Sequence, residues 1–350
     1  ECPELLHKDH WDGAPWRDVD TLAGGTRRRC NRPRADRTGE YSLLIRLAGL
    51  VTIEPEGVPP QHLSSAQAQV AFARLILERS AGTSRDQLAD TVWPDGLPDT
   101  WASALRSVVS RVRTFVTFPQ QRPGVTPLVA QGGRYLLRLP DDAAVDLECA
   151  EAAATEAAEA YATGSFAVAQ QLAAAAVSNL RGSFLPAHEG EWVNGVREWL
   201  DELRLSALET ASLASAALGD EHHALRYAEE AVRRAPFRES AYRCRMAAHR
   251  TAGNRAEALR TYQQLREVLA EELGIDPAPE SQAAYLELLR SSDTRRRPEP
   301  DTGAVTRLDP LLMGMFEAPR PRPAPPRPCL LTPDGCLTHP APPAPEWRVA

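Results

Sequence analysis

Arg106, Ser107, Ser110, Arg111, Arg113 and Thr114 crowd into one short stretch of the chain, with no carboxylate among them. Guanidiniums offer rigid forks of donors that match a phosphate or the N7/O6 edge of guanine, and hydroxyls can donate or accept beside them. That is the chemistry of a surface that grips a polyanion and reads it. It is not the chemistry of bond breaking, which needs an activated nucleophile or a tuned acid and base. The rest of the chain supplies none: it holds no G-x-x-x-x-G-K-[ST] loop, no G-x-S-x-G elbow, no H-E-x-x-H helix and no paired carboxylates. His222-His223 beside Glu221 reads as a solvated turn. Cys2 with His7 and His10, and Cys329 with Cys336, lack a supporting ligand set. The expectation is a non-enzyme with no catalytic residue, no cofactor and no metal.

The crowded stretch has a helical period. Over 99–116, Leu105, Val108, Val109, Val112, Phe115 and Val116 fall on one face. Ser103, Arg106, Ser107, Ser110, Arg113 and Thr114 fall on the other. Asp99 stands where an N-cap belongs. Arg106 and Arg113 are two turns apart with Ser110 between them, and Arg111 lies at the border of the stripe, better placed for a phosphate.

The elements that must hold this helix can be read on either side. SLLIRLAGLVTI (42–53) is apolar and β-prone, EPEG (54–57) turns, and VPPQHL returns, which predicts short antiparallel strands interrupted at Gly49. Ser64 or Ser65 then caps a helix burying Val70, Phe72, Ala73, Leu75, Ile76 and Leu77. A second helix opens within TSRDQLADTVW (83–93), where Ser84 and Gln87 form a capping-box pattern and Leu88, Val92 and Trp93 face inward. PDGLP (94–98) breaks it before the third helix. After a Pro- and Gln-rich loop (119–127), PLVAQGGRYLLRLP predicts a hairpin turning at Gly132-Gly133 and bearing Arg134. Strands, three helices and an Arg-bearing hairpin follow the order of a winged helix, over 41–140. In that geometry the third helix enters the major groove and the hairpin lies along the backbone.

From Asp141 the composition turns to Ala, Leu and Glu at period 3.6. Gly219 and Gly253 stand 34 apart, as do Ala224 and Ala258, and ALR recurs at 224–226 and 258–260. A weaker copy lies at 162–177, and 182–200 separates it from the next. A 34-residue helix-turn-helix unit is the tetratricopeptide signature. The fold class predicted is therefore mainly α: a winged helix-turn-helix (α+β) domain, then an all-α tetratricopeptide-like repeat domain over 141–292. Residues 1–40 read as a disordered or partial N-terminal segment with a basic run at 26–34. Residues 293–350 read as a disordered Pro- and Arg-rich tail whose one apolar island is DPLLMGMF (309–316).

Charge follows the same division. The chain carries net −7, yet 41–140 holds ten Arg against seven acids, whereas 141–292 holds fourteen Arg against twenty-five. A mildly basic module joined to an acidic one suits a nucleic-acid reader attached to something else. Lys8 is the sole lysine, so the Arg preference runs through the whole chain. The six cysteines form no C-x-x-C pair and no signal peptide is visible, so reduced thiols in the cytoplasm are expected. No apolar run reaches the ~20 residues that span a bilayer. The chain opens on Glu1 and not on Met, which leaves room for an upstream segment.

SRDQLADTVWPDG, SVVSRVR and GGRYLLRL resemble the DNA-binding domain of OmpR-type regulators, and more closely its version in the Streptomyces antibiotic regulatory protein family. That family tends to carry A-L-x-x-x-[VI]-S-R-L-R in the recognition helix and a G-G-Y hairpin. Here stand Ala104, Leu105, Val109, Ser110, Arg111, Val112 and Arg113, then Gly132, Gly133, Arg134 and Tyr135. The second half is similar to the bacterial transcriptional activator domain that follows in the same family, through the E-W…R…L-x-E-L-R-L-x-A-L-E run to Glu209 and the E-E-L-G-x-D-P-x-P-E run at 271–280. The resemblance covers about 41–292. It implies a cytoplasmic activator of a secondary-metabolite cluster that binds double-stranded DNA at tandem direct repeats, self-associates there and contacts RNA polymerase. DNA would be met by Arg106, Ser107, Ser110, Arg111, Arg113, Thr114 and the wing's Arg134. The alternative is a tetratricopeptide-type interaction scaffold whose winged helix has lost DNA binding; the modest +3 of 41–140 and Ala102 early in the third helix are its support.

Overall fold

A computed structural model gives the protein's structure and describes residues 43–117 and 127–290. The segment 1–40, most of the 119–127 loop and the tail 293–350, with Cys2, Cys30, Cys329, Cys336 and the island at 309–316, lie outside the described residues.

Three short strands come first, β1 (Leu43–Arg46), β2 (Thr52–Pro55) and β3 (Gln61–His62), paired antiparallel in that order. Leu43 and Ile45 are buried while Leu44 and Arg46 are half-buried, the period-two signature of a sheet with one wet face. Then follow α1 (Ala66–Leu77), β4 (Thr83–Ser84), α2 (Arg85–Val92) and α3 (Trp101–Phe115). The capping box of α2 is complete: Gln87 N donates to Ser84 Oγ (3.1 Å) and Ser84 N to Gln87 Oε1 (3.0 Å). Leu77 and Trp93 are half-buried and not in the core.

Asp99 does not cap α3. The N-cap is Thr100, without a side-chain cap bond, because Trp101 N already donates to Pro98 O (2.8 Å) and the turn over Pro98 starts the helix one residue later. Ser65 caps α1 in position only, since its hydroxyl is engaged elsewhere.

The hairpin consists of β5 (Leu128–Gln131) and β6 (Arg134–Leu137), and β4 pairs on the far side of β6. Gly132 and Gly133 both take positive φ (57° and 75°), which a two-residue hairpin turn with the strands' own twist requires.

The chain then does something local pattern does not announce. β7 (Ala143–Val145) runs parallel to β1, with Leu43 opposite Ala143 and Ile45 opposite Val145, so the first sheet is ordered β3-β2-β1-β7. Seven helices follow: α4 (Asp146–Ala162), α5 (Phe166–Asn179), α6 (Glu191–Ala217), α7 (Glu221–Arg234), α8 (Glu239–Thr251), α9 (Arg255–Glu272) and α10 (Pro279–Arg290). The turns after α4, α6 and α8 are built identically. Gly164, Gly219 and Gly253 take φ of 76°, 74° and 72°. Each donates to a carbonyl three residues back, and the next residue donates five back (Ser165 to Ala160, Asp220 to Ser215, Asn254 to His249). This is the Schellman closure, which favours glycine because the left-handed residue carries no Cβ. Five residues past each glycine lie Ala169, Ala224 and Ala258, and twelve past lie Ala176, Ala231 and Leu265, all fully buried. Small side chains there let the paired helices approach closely. Among the described residues no helix is long and apolar enough to cross a membrane.

The first sheet and the first three helices of the array, α4 to α6, share one core drawn from residues between Leu43 and Ala207. Asp146, at the start of α4, is 2% exposed and takes Leu47 N and Ala48 N (3.0 Å each) as well as Leu147 N (2.8 Å). Burial pushes its carboxyl up, and the three N–H donors pull the other way. Arg79 of α1 forms a two-pronged ion pair with Glu148 of α4. The loop before α6 lies against the turn between β1 and β2, where Gly49 N donates to Ser183 O (3.1 Å) and Phe184 and Leu185 are buried. Arg197 ties that loop from α6 by donating to the carbonyls of Phe184, Leu185 and His188.

Candidate nucleic-acid interface

The inner face of α3 fixes the outer one. Leu105, Val108, Val109, Val112, Phe115 and Val116 are all buried, and Phe115 meets Phe72 of α1 edge to face at 5.2 Å. Fully burying a side chain of this size contributes about 1.5–3 kcal/mol, so a rotation of α3 about its axis would forfeit several such terms. Ser103, Arg106, Ser107, Ser110, Arg111, Arg113 and Thr114 are thereby held on the exposed side.

Each of these groups has a defined local state. Arg106 donates Nε to Ala102 O (3.2 Å), which leaves its two terminal nitrogens facing outward. The Arg113 guanidinium, among the described residues, makes no hydrogen bond or ion pair. Arg111 reaches from the border of the stripe to the α1 N-terminus, where Nη1 donates to Ser65 Oγ (3.2 Å). The hydroxyls of Ser103, Ser107 and Thr114 donate to carbonyls of the first turn or of their own helix: Thr100 O (2.9 Å), Ser103 O (3.3 Å) and Ser110 O (3.2 Å). On the wing, Arg134 donates Nη1 to Gly82 O (2.8 Å), folding back over the start of β4. Arg106, Arg113 and Ser110 thus share one stripe, Arg111 flanks it beside α1, and Arg134 belongs to the neighbouring hairpin. Among the described residues no carboxylate pairs with Arg106, Arg111, Arg113 or Arg134.

Two further cations lie on the elements that flank α3 in sequence. Arg85, the first residue of α2, places its guanidinium 4.8 Å over the ring of Trp101, the first residue of α3. Arg138 lies exposed just past β6. The capping box located Arg85 on its helix, but the contact joins residues sixteen apart that meet only when α2 and α3 cross, and no spacing rule announces it. Away from this face, Asp220 caps α7 by accepting from His223 N (3.2 Å) and lies 2.7 Å from His223 Nδ1. The His223 N–H, with other donors, holds the Asp220 carboxyl below the usual range. The His222-His223 pair is thus part of a helix terminus.

Residues 145–289, from the end of β7 almost to the end of α10, match the family described as Bacterial transcriptional activator domain. The chain is 29% identical over 234 residues to the Regulatory protein AfsR of Streptomyces griseus, which covers 67% of this chain but only 23% of AfsR. It is 27% identical to the Transcriptional regulatory protein EmbR of Mycobacterium tuberculosis over 276 residues, 78% of this chain and 70% of EmbR. The solved structure of M. tuberculosis EmbR in complex with a low-affinity phosphopeptide superposes with a TM-score of 0.65 at 25% identity, over 72% of this chain and 66% of that one. These matches support the resemblance to the Streptomyces antibiotic regulatory protein family. The chain spans less than a quarter of the length of AfsR, so it holds a part of what that longer regulator contains. Both named relatives are regulatory proteins by description, and the likeness to EmbR extends upstream of the matched domain, since 276 aligned residues exceed the span 145–289.

Proposed function

We propose that this chain is a DNA-binding transcriptional activator of a secondary-metabolite gene cluster. α3 lies in the major groove, with Arg106, Ser107, Ser110, Arg113 and Thr114 toward the bases. Arg111 and the wing's Arg134 hold the flanking phosphates. The unit 41–140 reads DNA, and the array 141–292 supports side-by-side assembly and contact with RNA polymerase.

One observation carries this reading: the exposed stripe of α3 presents guanidiniums without a carboxylate partner, above an inner face so fully buried that the stripe cannot turn away. A merely solvated helix in an acidic protein would be expected to interleave acids with its arginines. The match to the bacterial transcriptional activator domain supports the same reading, as does a further cation, Arg85 at the start of α2, stacked on the first residue of α3.

The test is salt-dependent binding of the full chain to a footprinted site upstream of its own gene. Replacing Arg106 or Arg113 by Ala is expected to cost ~1–3 kcal/mol and to relax sequence preference. Wild-type affinity from the Arg106→Ala, Arg113→Ala double variant would refute the assignment of α3 and leave the scaffold reading ahead.

A further inference from the structure

Granted that α3 lies in the major groove, we infer that this chain selects sites carrying two guanines three base pairs apart, flanked by a base with a major-groove amine. The inference rests on the proposed function and adds what the site must contain.

The spacing comes from the helix. Arg106 and Arg113 are seven residues apart on one stripe, with Ser110 between them. At 1.5 Å per residue their Cα atoms are separated by about 10.5 Å along the axis. Side chains on a helix lean alike toward its N-terminus, so the separation is kept at their tips. Three base-pair steps of 3.4 Å span about 10 Å, so a helix lying along the groove sets the two guanidiniums over base pairs n and n+3.

The base identity comes from what the two arginines already do. Arg106 spends Nε on Ala102 O, which braces the side chain outward and leaves Nη1 and Nη2 as a fork. Arg113 is unengaged among the described residues. Neither has a carboxylate to give up on binding. A planar two-pronged donor is met in the major groove by guanine, whose O6 and N7 are both acceptors. Arg111 and Arg134 differ, since each already commits a terminal nitrogen, Nη1, within the protein, to Ser65 Oγ and to Gly82 O, which breaks the end-on Nη1/Nη2 fork and leaves a braced charge suited to phosphate.

The flanking preference comes from the hydroxyls. Ser103, Ser107 and Thr114 each lie within hydrogen-bond distance of a backbone carbonyl. A carbonyl only accepts, so the hydroxyl proton is committed to the helix and the oxygen faces the groove as an acceptor. The complementary edge is an amine, N6 of adenine or N4 of cytosine, while thymine O4 and guanine O6 would place acceptor against acceptor.

The experiment is enrichment of bound sites from a random duplex library by the full chain, repeated with R106K, R113K and S107A. Lysine keeps the charge and loses the fork, so a phosphate contact would survive the exchange and a guanine contact would not. Enriched sites are expected to share two guanines at n and n+3, on either strand. R113K is expected to lose the preference at one of the two only, R106K at the other, and S107A to accept all four bases at a flanking position. Placing 7-deazaguanine, which lacks the N7 acceptor, at either position should weaken wild-type binding about 10- to 100-fold and leave the matching lysine variant unaffected. A specific consensus without the guanine pair, or lysine variants that keep both preferences, would overturn the inference while leaving DNA reading in place. Failure to enrich any sequence at any salt concentration would overturn both.

Discussion

Replacing Asp146 by Ala should loosen the joint between the first sheet and the helical array. In the wild type its carboxylate holds Leu47 N and Ala48 N, 99 and 98 residues away in sequence, inside a buried core. Hydrogen bonds to a charged acceptor contribute about 1.5–3 kcal/mol each, and a buried donor left without a partner costs a similar amount. Against two such losses stands one gain, because burial of the carboxylate is itself unfavourable and raises its pKa. The net expectation is about 2–4 kcal/mol of lost stability, or a fall in Tm of roughly 5–15 °C at the 2–4 °C per kcal/mol usual for a body of 150–250 residues. Asp146→Asn should lie between the two, since its amide keeps one acceptor oxygen but turns an N–H toward a donor. The assay is thermal unfolding by far-ultraviolet circular dichroism, on the full chain and on an excised 141–292 fragment. That fragment lacks Leu47 and Ala48, so Asp146→Ala should have almost no effect in it. An equal effect in both, or a full-chain change within about 0.5 kcal/mol, the usual range for surface substitutions, would refute the role assigned to Asp146.

Leu105→Ala should destabilise by about 2–5 kcal/mol through the cavity it leaves, and should lose DNA binding only as the protein unfolds. Arg111→Ala and Arg134→Ala should change Tm little, weaken binding to all sequences alike, and lower the salt slope by roughly one for each phosphate no longer neutralised. His249, buried on α8 with neither ring nitrogen hydrogen-bonded among the described residues, has its pKa lowered by burial and by Arg245, against the opposing pull of Glu257 and Glu229. A depressed pKa means the unfolded chain takes the proton more readily. Stability from this group is therefore complete above the ordinary histidine value near 6.5 and is lost as pH falls through the window beneath it. His249→Leu should raise stability at neutral pH by about 1–2 kcal/mol and flatten the acid limb below the ordinary histidine value near 6.5 in urea titrations. An unchanged limb would assign it to other groups.

What the sequence made legible was whatever repeats on a short period. The stripe of α3 could be placed because six apolar residues return at helical spacing, and the wing because Gly132-Gly133 admits few other conformations. The helical units could be placed because glycine and alanine recur at fixed offsets. What it hid was whatever depends on partners far along the chain. β7 is three small residues, Ala-Ala-Val, whose pairing with β1 leaves no alternation long enough to read. Asp146 looks like any acid in the first turn of a helix, where its carboxylate would be expected to face solvent. Arg197 looks like a solvated cation, yet its guanidinium organises the backbone of 184–188, including Leu185 at φ 43°. The candidate site divides the same way. Its residues were placed by period, whereas the bonds from Arg111 to Ser65 and from Arg134 to Gly82 needed the folded chain.

These hidden contacts bear on how α3 is presented. To swing relative to α4, the winged helix would have to unzip β1 from β7, strip the backbone donors from Asp146, open the Arg79–Glu148 pair and draw Phe184 and Leu185 out of a shared core. Several kilocalories per mole oppose that motion, so between β6 and α4 the chain behaves as a strut and not as a flexible tether. A tethered reader spends binding energy on ordering its linker, and its partner sites are related only by an effective concentration. A strut removes that cost and substitutes a fixed bearing. Whatever surface the array offers to a neighbouring protein is held at a set angle and distance from Arg106 and Arg113. A change in the array can therefore reach α3 through β7, Asp146, the Arg79–Glu148 pair, the Arg74–Trp192 contact and the 182–190 loop, and these are the positions where substitutions far from α3 should alter how it is presented.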